Sequence, residues 1–416
     1  MNNQSLREAV PIILNCLKEY QYSKEYLVSL RRHFNHVIDL YAKEGIIYYK
    51  EGQYQHFLSR IQKEHEKGGL RVNLFWHYRK CAYYLDEYFR TGNVHPIMLN
   101  NNKHDDLSPE FSNTLDEYLF YVKSSIKDST LNQRKLAIQR YLCFLQSNGH
   151  KSFESVEAKD IQKYFTALSE KYSSRTLNGH RLHIRQFHHF LFEHQMITPT
   201  WLSLLDFHTV IPRKIQGYLS YEETERIMSA IDDTTNIGKR DYAILSLVKT
   251  TGLRGVDIIN LKLTDINWRL GFISITQSKT GVKLQLPLLY ETGEALKEYI
   301  LNARPKSDSA NVFLRVQAPH IPLKSTSSLD AIHDKYKHQA DIPKIPWDGK
   351  SFHGVRRGFG RELILADIPV TSVMQILGHS RLDSTKPYIM LHTDELRKCA
   401  LDFSIIPVER GELLDD

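Results

Sequence analysis

Residues 351–360 read S-F-H-G-V-R-R-G-F-G, residues 377–380 read L-G-H-S, and residues 384–388 read S-T-K-P-Y. His353, Arg356, His379 and Tyr388 thus stand in one compact run, between apolar segments patterned like short helices. A guanidinium, two imidazoles and a phenol suit chemistry on a phosphate, whose oxygens are held by planar cationic donors and whose phosphorus is attacked by an activated oxygen. The set is one cation short, and upstream residues must supply it.

Two upstream stretches offer that cation. In T-G-L-R-G-V-D-I-I-N-L, residues 251–261, an apolar helix running from Tyr242 to Val248 ends and a new helix starts directly after Arg254, which puts this guanidinium at a turn. From Gly271 the hydrophobic period changes to two. Phe272 to Thr276 and Val282 to Leu286 alternate as strands around Q-S-K-T-G, a hairpin with Lys279 at or near its tip. Lys283, across the turn, competes for the same role, and a lysine in an isolated turn more often only solubilises it. Ahead of these, Ser220 and Glu223 form a capping-box pattern that opens a new helix just beyond a boundary near Pro212.

Upstream of that boundary the chain reads as helical. In the first block Leu27, Leu30, Phe34, Val37, Ile38 and Tyr41 recur at helical spacing before Gly45. In the second, Ile138, Leu142 and Leu145 form a stripe before Gly149, while Arg134 and Lys135 project elsewhere. Superposing the two aligns Leu27 with Leu131, Phe34 with Ile138, Ile38 with Leu142 and Gly45 with Gly149, the pattern of a diverged duplication or of two generic amphipathic helices. The segment from Ser173 to His194 is the most basic and histidine-rich: Ile184, Phe187 and Leu191 can face a core, leaving Arg181, Arg185 and His188 on another side. Such a face fits DNA phosphates or base edges, or is a solvated cationic surface. A metal reading of His180, His183, His188 and His189 lacks an acidic or cysteine ligand at a familiar spacing, so no metal is expected.

A chain of 416 residues exceeds the usual size of one core, which implies two or three domains. Its 41% apolar content is that of a soluble globular protein. No run approaches the roughly 18 apolar residues of a membrane span, and M-N-N-Q-S-L-R-E lacks the apolar core of a secretory signal. Cys16, Cys81, Cys143 and Cys399 lie far apart without a C-x-x-C pair, as reduced and mostly buried thiols would. A net charge of +7 leans toward a polyanionic partner.

In this order and with these separations the pieces resemble the tyrosine recombinase, or phage integrase, family. The resemblance runs from about Leu219 to Tyr388: T-G-L-R-G-V-D-I-I-N-L carries the first arginine box, Q-S-K-T-G-V-K the hairpin lysine, H-G-V-R-R the H-x-x-R box and L-G-H-S the next, and Tyr388 stands nine residues after His379. It implies a mainly α fold with a small antiparallel β-sheet. Residues 1–105 are expected to form an extra N-terminal helical domain, residues 106–206 a helical, SAM-like core-binding domain, and residues 207–416 a mixed α+β catalytic domain with a C-terminal tail. The core-binding domain would hold DNA, with Arg134, Lys135, Arg181 and Arg185 as candidate contacts, and the N-terminal domain would either hold DNA or contact another protomer.

Physical chemistry distributes the catalytic roles. Arg254 and Arg356 would bind the non-bridging oxygens of the phosphodiester. Tyr388, a poor nucleophile at a free pKa of about 10, needs a base, and His353 is the candidate. His379 would donate a hydrogen bond to a phosphate oxygen, Lys279 would protonate the departing 5′ oxygen, and Asp257 would orient an arginine or a histidine. The resemblance implies a 3′-phosphotyrosyl intermediate, no metal, no nucleotide and no other cofactor. Expected partners are double-stranded DNA with specific sites, three further protomers that exchange C-terminal tails, and accessory DNA-bending proteins. The expected location is the cytoplasm, beside the nucleoid and not in a membrane. Pro387 suits the first turn of a helix and suggests that Tyr388 is switched between positions. The rival readings are a type IB topoisomerase with the same chemistry and a DNA-binding protein that has lost catalysis; a metal-dependent nuclease lacks its carboxylate cluster.

Overall fold

Serines set where several helices begin. The hydroxyls of Ser5, Ser23, Ser108, Ser173 and Ser220 each accept the backbone N–H three residues on, satisfying a donor that the first helical turn leaves unpaired. The capping box expected at Ser220 is closed in both directions, Ser220 N donating to Glu223 Oε2 at 3.1 Å and Glu223 N to Ser220 Oγ at 3.1 Å. These hydrogen bonds belong to a computed structural model, which describes residues 4–50, 52–96, 107–198, 200–210, 217–346 and 348–379. Pro387, Tyr388, Cys399 and the C-terminal tail lie outside the described residues.

The chain forms two compact units, residues 1–99 with 215–416, and residues 100–214. The first opens with α1 (Leu6–Glu19), α2 (Lys24–Ala42), α3 (Gln53–Glu66) and α4 (Val72–Thr91), packed around Leu6, Ile13, Leu17, Phe34, Phe57 and Tyr84. α2 buries Leu30, Phe34, Val37, Ile38 and Tyr41, the stripe its spacing predicts. Of the described cysteines only Cys81 is buried; Cys16 and Cys143 are half-buried, less enclosed than expected.

The second unit comprises α5 (Pro109–Lys123), α6 (Asp128–Ser147), α7 (Ala158–Lys171), α8 (Ser174–Glu193) and α9 (Thr200–Ser203) around Phe111, Tyr118, Ile138, Leu142, Phe187 and Leu191.

The first unit continues with α10 (Tyr221–Ser229), α11 (Asn236–Thr251), α12 (Gly255–Ile259), β1 (Ile266–Asn267), β2 (Phe272–Thr276), β3 (Lys283–Pro287), α13 (Tyr290–Asn302), α14 (Ser327–Gln339), α15 (Phe352–Leu365) and α16 (Val370–Leu377). The sheet is antiparallel in the order β1-β2-β3, with Ile273 opposite Leu286 and Thr276 opposite Lys283. Ile273 and Leu286 are both buried, so this register is fixed by the face that meets the core. β3 starts at Lys283, one residue later than its alternation suggests.

α11 is buried on almost every side, through Ala243, Ile244, Leu245, Leu247 and Val248, which is why its sequence is apolar without a clean period. The charge it carries into the core, Asp241, is 1% exposed and fully engaged. Oδ1 accepts from Arg240 Nε at 2.9 Å and Nη2 at 2.7 Å, and Oδ2 from the Tyr336 hydroxyl at 3.0 Å, as a buried carboxylate requires. The chain is mainly helical with a small antiparallel sheet, and among the described residues no helix is long and apolar enough to cross a membrane.

Candidate active site

The site is assembled where α11 and α16 end. α11 stops at Gly252, in the left-handed region at φ 61°, and the chain turns so that Arg254 becomes the N-cap of α12. From that turn Arg254 Nη1 donates to Gln277 Oε1, and Nη2 to Gly378 O at 3.4 Å. Asp257, 4% exposed, accepts the backbone N–H of Ser278 at 2.8 Å. Its hydrogen bond therefore anchors the hairpin backbone, where the sequence suggested an arginine or a histidine. Lys279 is exposed in the turn between β2 and β3, and its charge is among those acting on His353; Lys283 stands on β3 opposite Thr276.

The H-G-V-R-R-G box opens α15. Its second glycine, Gly358, exists for close approach: the chain entering this block crosses the helix with the two backbones touching, and a Cβ at 358 would stand 2.1 Å from Leu219 O. Arg357 secures the same crossing by donating from Nε to Gly217 O at 2.8 Å and from Nη2 to Gly349 O. His353 and Arg356 stand three residues apart in the first turns of this helix, His353 exposed and Arg356 buried. Arg356 is 1% exposed. Its Nη1 donates to Gly252 O at the end of α11, and its Nη2 to Leu377 O at the end of α16 at 2.8 Å and to His379 Nε2 at 3.0 Å. Helix C-termini leave carbonyls unpaired and carry the negative end of the dipole, so a guanidinium is their natural partner.

Gly378 caps α16 with φ 62°, and His379 follows with its N–H on Met374 O at 2.9 Å. Because a guanidinium can only donate, the His379 Nε2 facing it must accept, and the ring proton sits on Nδ1. The His379 pKa is pushed down to about 4 by burial, then by Arg356, Arg254 and His353. His353 is also pushed down to about 4, by loss of solvation and by the cations Arg357, Arg356, Arg254 and Lys279. Since its side chain keeps an exposed surface, the cations are the firmer cause of that direction. Both imidazoles are therefore neutral at pH 7, one able to accept a proton and the other to donate a hydrogen bond.

Arg254, Arg356 and His379 thus converge, with His353 one turn from Arg356 and Lys279 on an adjoining turn. Tyr388 lies outside the described residues. Sequence reasoning missed Gln277, which touches Arg254 directly. The signal was available: β2 points inward at Ile273 and Ile275, and period two makes residue 277 the next inward position, occupied by an amide.

The basic face expected on α8 is corrected in two places. Arg181 is 7% exposed and donates to Leu205 O at 2.7 Å and to His208 Nε2 at 3.1 Å. His188 is fully buried beside the Tyr141 hydroxyl at 3.2 Å and is pushed down to about 3 by burial. Both lie on the stripe of Ile184, Phe187 and Leu191, so helical period turns them inward with it. Arg185 stays half-exposed and pairs with Asp206 at 2.9 Å; Arg134 donates to the Tyr118 hydroxyl at 3.2 Å, and Lys135 is half-buried.

Residues 218–395 match the model described as the phage integrase family, and residues 114–195 that of the phage integrase N-terminal SAM-like domain. A Sinorhizobium fredii protein named as an integrase/recombinase, y4gC, is 36% identical over 177 residues, which cover 42% of this chain and 89% of that protein. The chain belongs to the tyrosine recombinase, or phage integrase, family. Among other members of the family, the tyrosine recombinase XerC of Bacillus pumilus is 26% identical over 68% of this chain and 92% of its own length. In fold the recombinase is similar to lambda integrase in a crystal structure of the tetramer bound to a Holliday junction, with a TM-score of 0.53 at 18% identity, covering 75% of this chain and 86% of that one. Membership supports site-specific DNA recombination as the activity class.

Proposed function

We propose that this recombinase cuts and rejoins specific DNA sites through a 3′-phosphotyrosyl bond on Tyr388 and exchanges strands through a Holliday junction, for the integration or excision of a mobile element. The observation that carries the reading is the convergence of Arg254, Arg356 and His379 at the ends of α11 and α16. Two planar cations and one neutral donor gathered at one place match the charge that grows on the non-bridging oxygens of a phosphodiester under attack. The Tyr388 oxygen bonds to phosphorus while the bond to the 5′ oxygen breaks. The phenolic proton passes to His353, and Lys279 delivers a proton to the departing 5′ oxygen. The phosphotyrosyl bond retains the energy of the bond it replaces, so a 5′ hydroxyl from a partner strand reverses the step without a nucleotide. No step calls for a metal ion, and cleavage is expected to persist in EDTA.

Lambda integrase is seen as a tetramer on a Holliday junction, and we extend that assembly to this chain, with the C-terminal tail after Tyr388 docking on a neighbouring protomer. Deleting the residues beyond Leu391 is expected to abolish assembly on DNA; assembly that survives removes the tail from the account. The recombination reading is tested by incubating two differently labelled duplexes taken from the DNA flanking the gene. Junctions and recombinant strands are expected. Relaxation of supercoiled plasmid without either product would make the protein a topoisomerase.

A further inference from the structure

Gln277 is an amide in an apolar position. It is 1% exposed, at the inward place that follows Ile273 and Ile275 along β2. An unpaired amide there would be costly, and this one is spent on three partners, one in its own turn and two from distant parts of the chain. Oε1 accepts from Arg254 Nη1 and from Thr280 Oγ1 at 2.8 Å, and Nε2 donates to Leu377 O at 3.1 Å. Its backbone closes the turn that carries Lys279, with Gln277 N on Val282 O at 2.9 Å and Gly281 N on Gln277 O at 2.8 Å. Leu377 O is the same carbonyl that holds Arg356, and Gly378 lies so near the carboxamide that a Cβ there would come within 2.5 Å of Cδ, Nε2 and Oε1.

We propose that Gln277 is a positioning residue for cleavage: its carboxamide holds the Arg254 guanidinium and the turn bearing Lys279 in register with the Leu377–His379 segment. The proposal rests on the recombinase reading above and adds a residue to it. Gln277 touches no reacting atom; it acts through the groups on either side. Oε1 fixes the direction of Arg254, and Nε2 ties the end of β2 to the helix end that presents Arg356 and His379. Glutamate keeps the acceptor and loses the donor, whereas methionine keeps the length and loses both.

The test uses the full chain and a nicked suicide duplex, on which cleavage is trapped in a single turnover. Rates and DNA affinity are compared for wild type, Gln277→Met and Gln277→Glu. Each is measured on the ordinary duplex and on one whose scissile 5′ oxygen is replaced by sulfur, a leaving group that departs without a proton. Gln277→Met is expected to cleave about 10- to 100-fold more slowly with unchanged affinity, the cost of misplacing groups by a fraction of an ångström. Gln277→Glu should lose less. The sulfur duplex should restore part of the Gln277→Met loss, the part due to Lys279, and leave the part due to Arg254. Wild-type cleavage by Gln277→Met overturns the proposal, as does a loss matched by an equal loss of binding in both variants, or no recovery on the sulfur duplex. If the wild-type chain itself forms no adduct on its sites, the proposed function falls together with this one.

Discussion

Arg356 shows how much one residue is asked to do. Its guanidinium joins the ends of α11 and α16 while lying against His379. Lysine would keep the charge and abandon the planar fork. Arg356→Lys is expected to lower unfolding free energy by about 1–3 kcal/mol, because buried carbonyls lose partners, and single-turnover cleavage by about 100-fold. Denaturant unfolding and trapped cleavage measure the two losses separately. The two site imidazoles make a prediction with a definite sign. In the unfolded chain each titrates near 6.5, and in the folded chain near 4. Between those values the unfolded chain binds protons that the folded one does not, so acidification through that window lowers stability, and above it these groups impose no penalty. NMR titration of the ring Cε1–H signals should give midpoints near 4 for His353 and His379; a midpoint near 6.5 for either contradicts the electrostatics described.

At the scale of elements, α16 and the hairpin meet at Gly378, whose φ of 62° and close approach to Gln277 both demand glycine. Gly378→Ala should cost about 1 kcal/mol or more, read by thermal unfolding, with cleavage reduced beyond the loss of folded protein. Helix α8 supplies a contrast within one element. Arg181→Ala removes a buried donor from Leu205 O and should destabilise its unit with little change in the salt dependence of DNA binding. Arg185→Ala, on the exposed side, should leave stability alone; if Arg185 meets a phosphate, the salt slope falls by about 0.9. These elements also mark what could be read from the chain. The Ser220 capping box, the stop at Gly252 and the hairpin around Lys279 are local patterns, and each lies where its pattern put it. Arg181 and His188 were misjudged because their chemistry suggested surface while their period placed them with the core. The inward place of Gln277 is legible from the strand period, but its role is not, because Arg254 and Leu377 lie 23 and 100 residues away, beyond any local pattern.

At the scale of the molecule, family membership was legible because the arginine, lysine, histidine and tyrosine boxes keep their order and separations over nearly half the chain. The first helical block is less direct. The offset that aligns Phe34 with Ile138 also aligns Val37 with Tyr141, Ile38 with Leu142 and Tyr41 with Leu145, and every one of these residues is buried. Gly45 and Gly149, both at positive φ, follow the paired helices. If the block shares a DNA-binding role with the SAM-like block it resembles, removing residues 1–105 should flatten the salt dependence of binding by about 0.9 for each phosphate the block neutralises; an unchanged slope assigns the block to something other than DNA. The claim beneath all of this is covalent cleavage by Tyr388. It is tested most directly by mixing wild type and Tyr388→Phe with a labelled suicide duplex of the natural site and separating the products under denaturing conditions. Wild type should carry the label as a protein–DNA adduct, and Tyr388→Phe should bind the duplex equally well and carry none; an adduct on Tyr388→Phe would contradict the account.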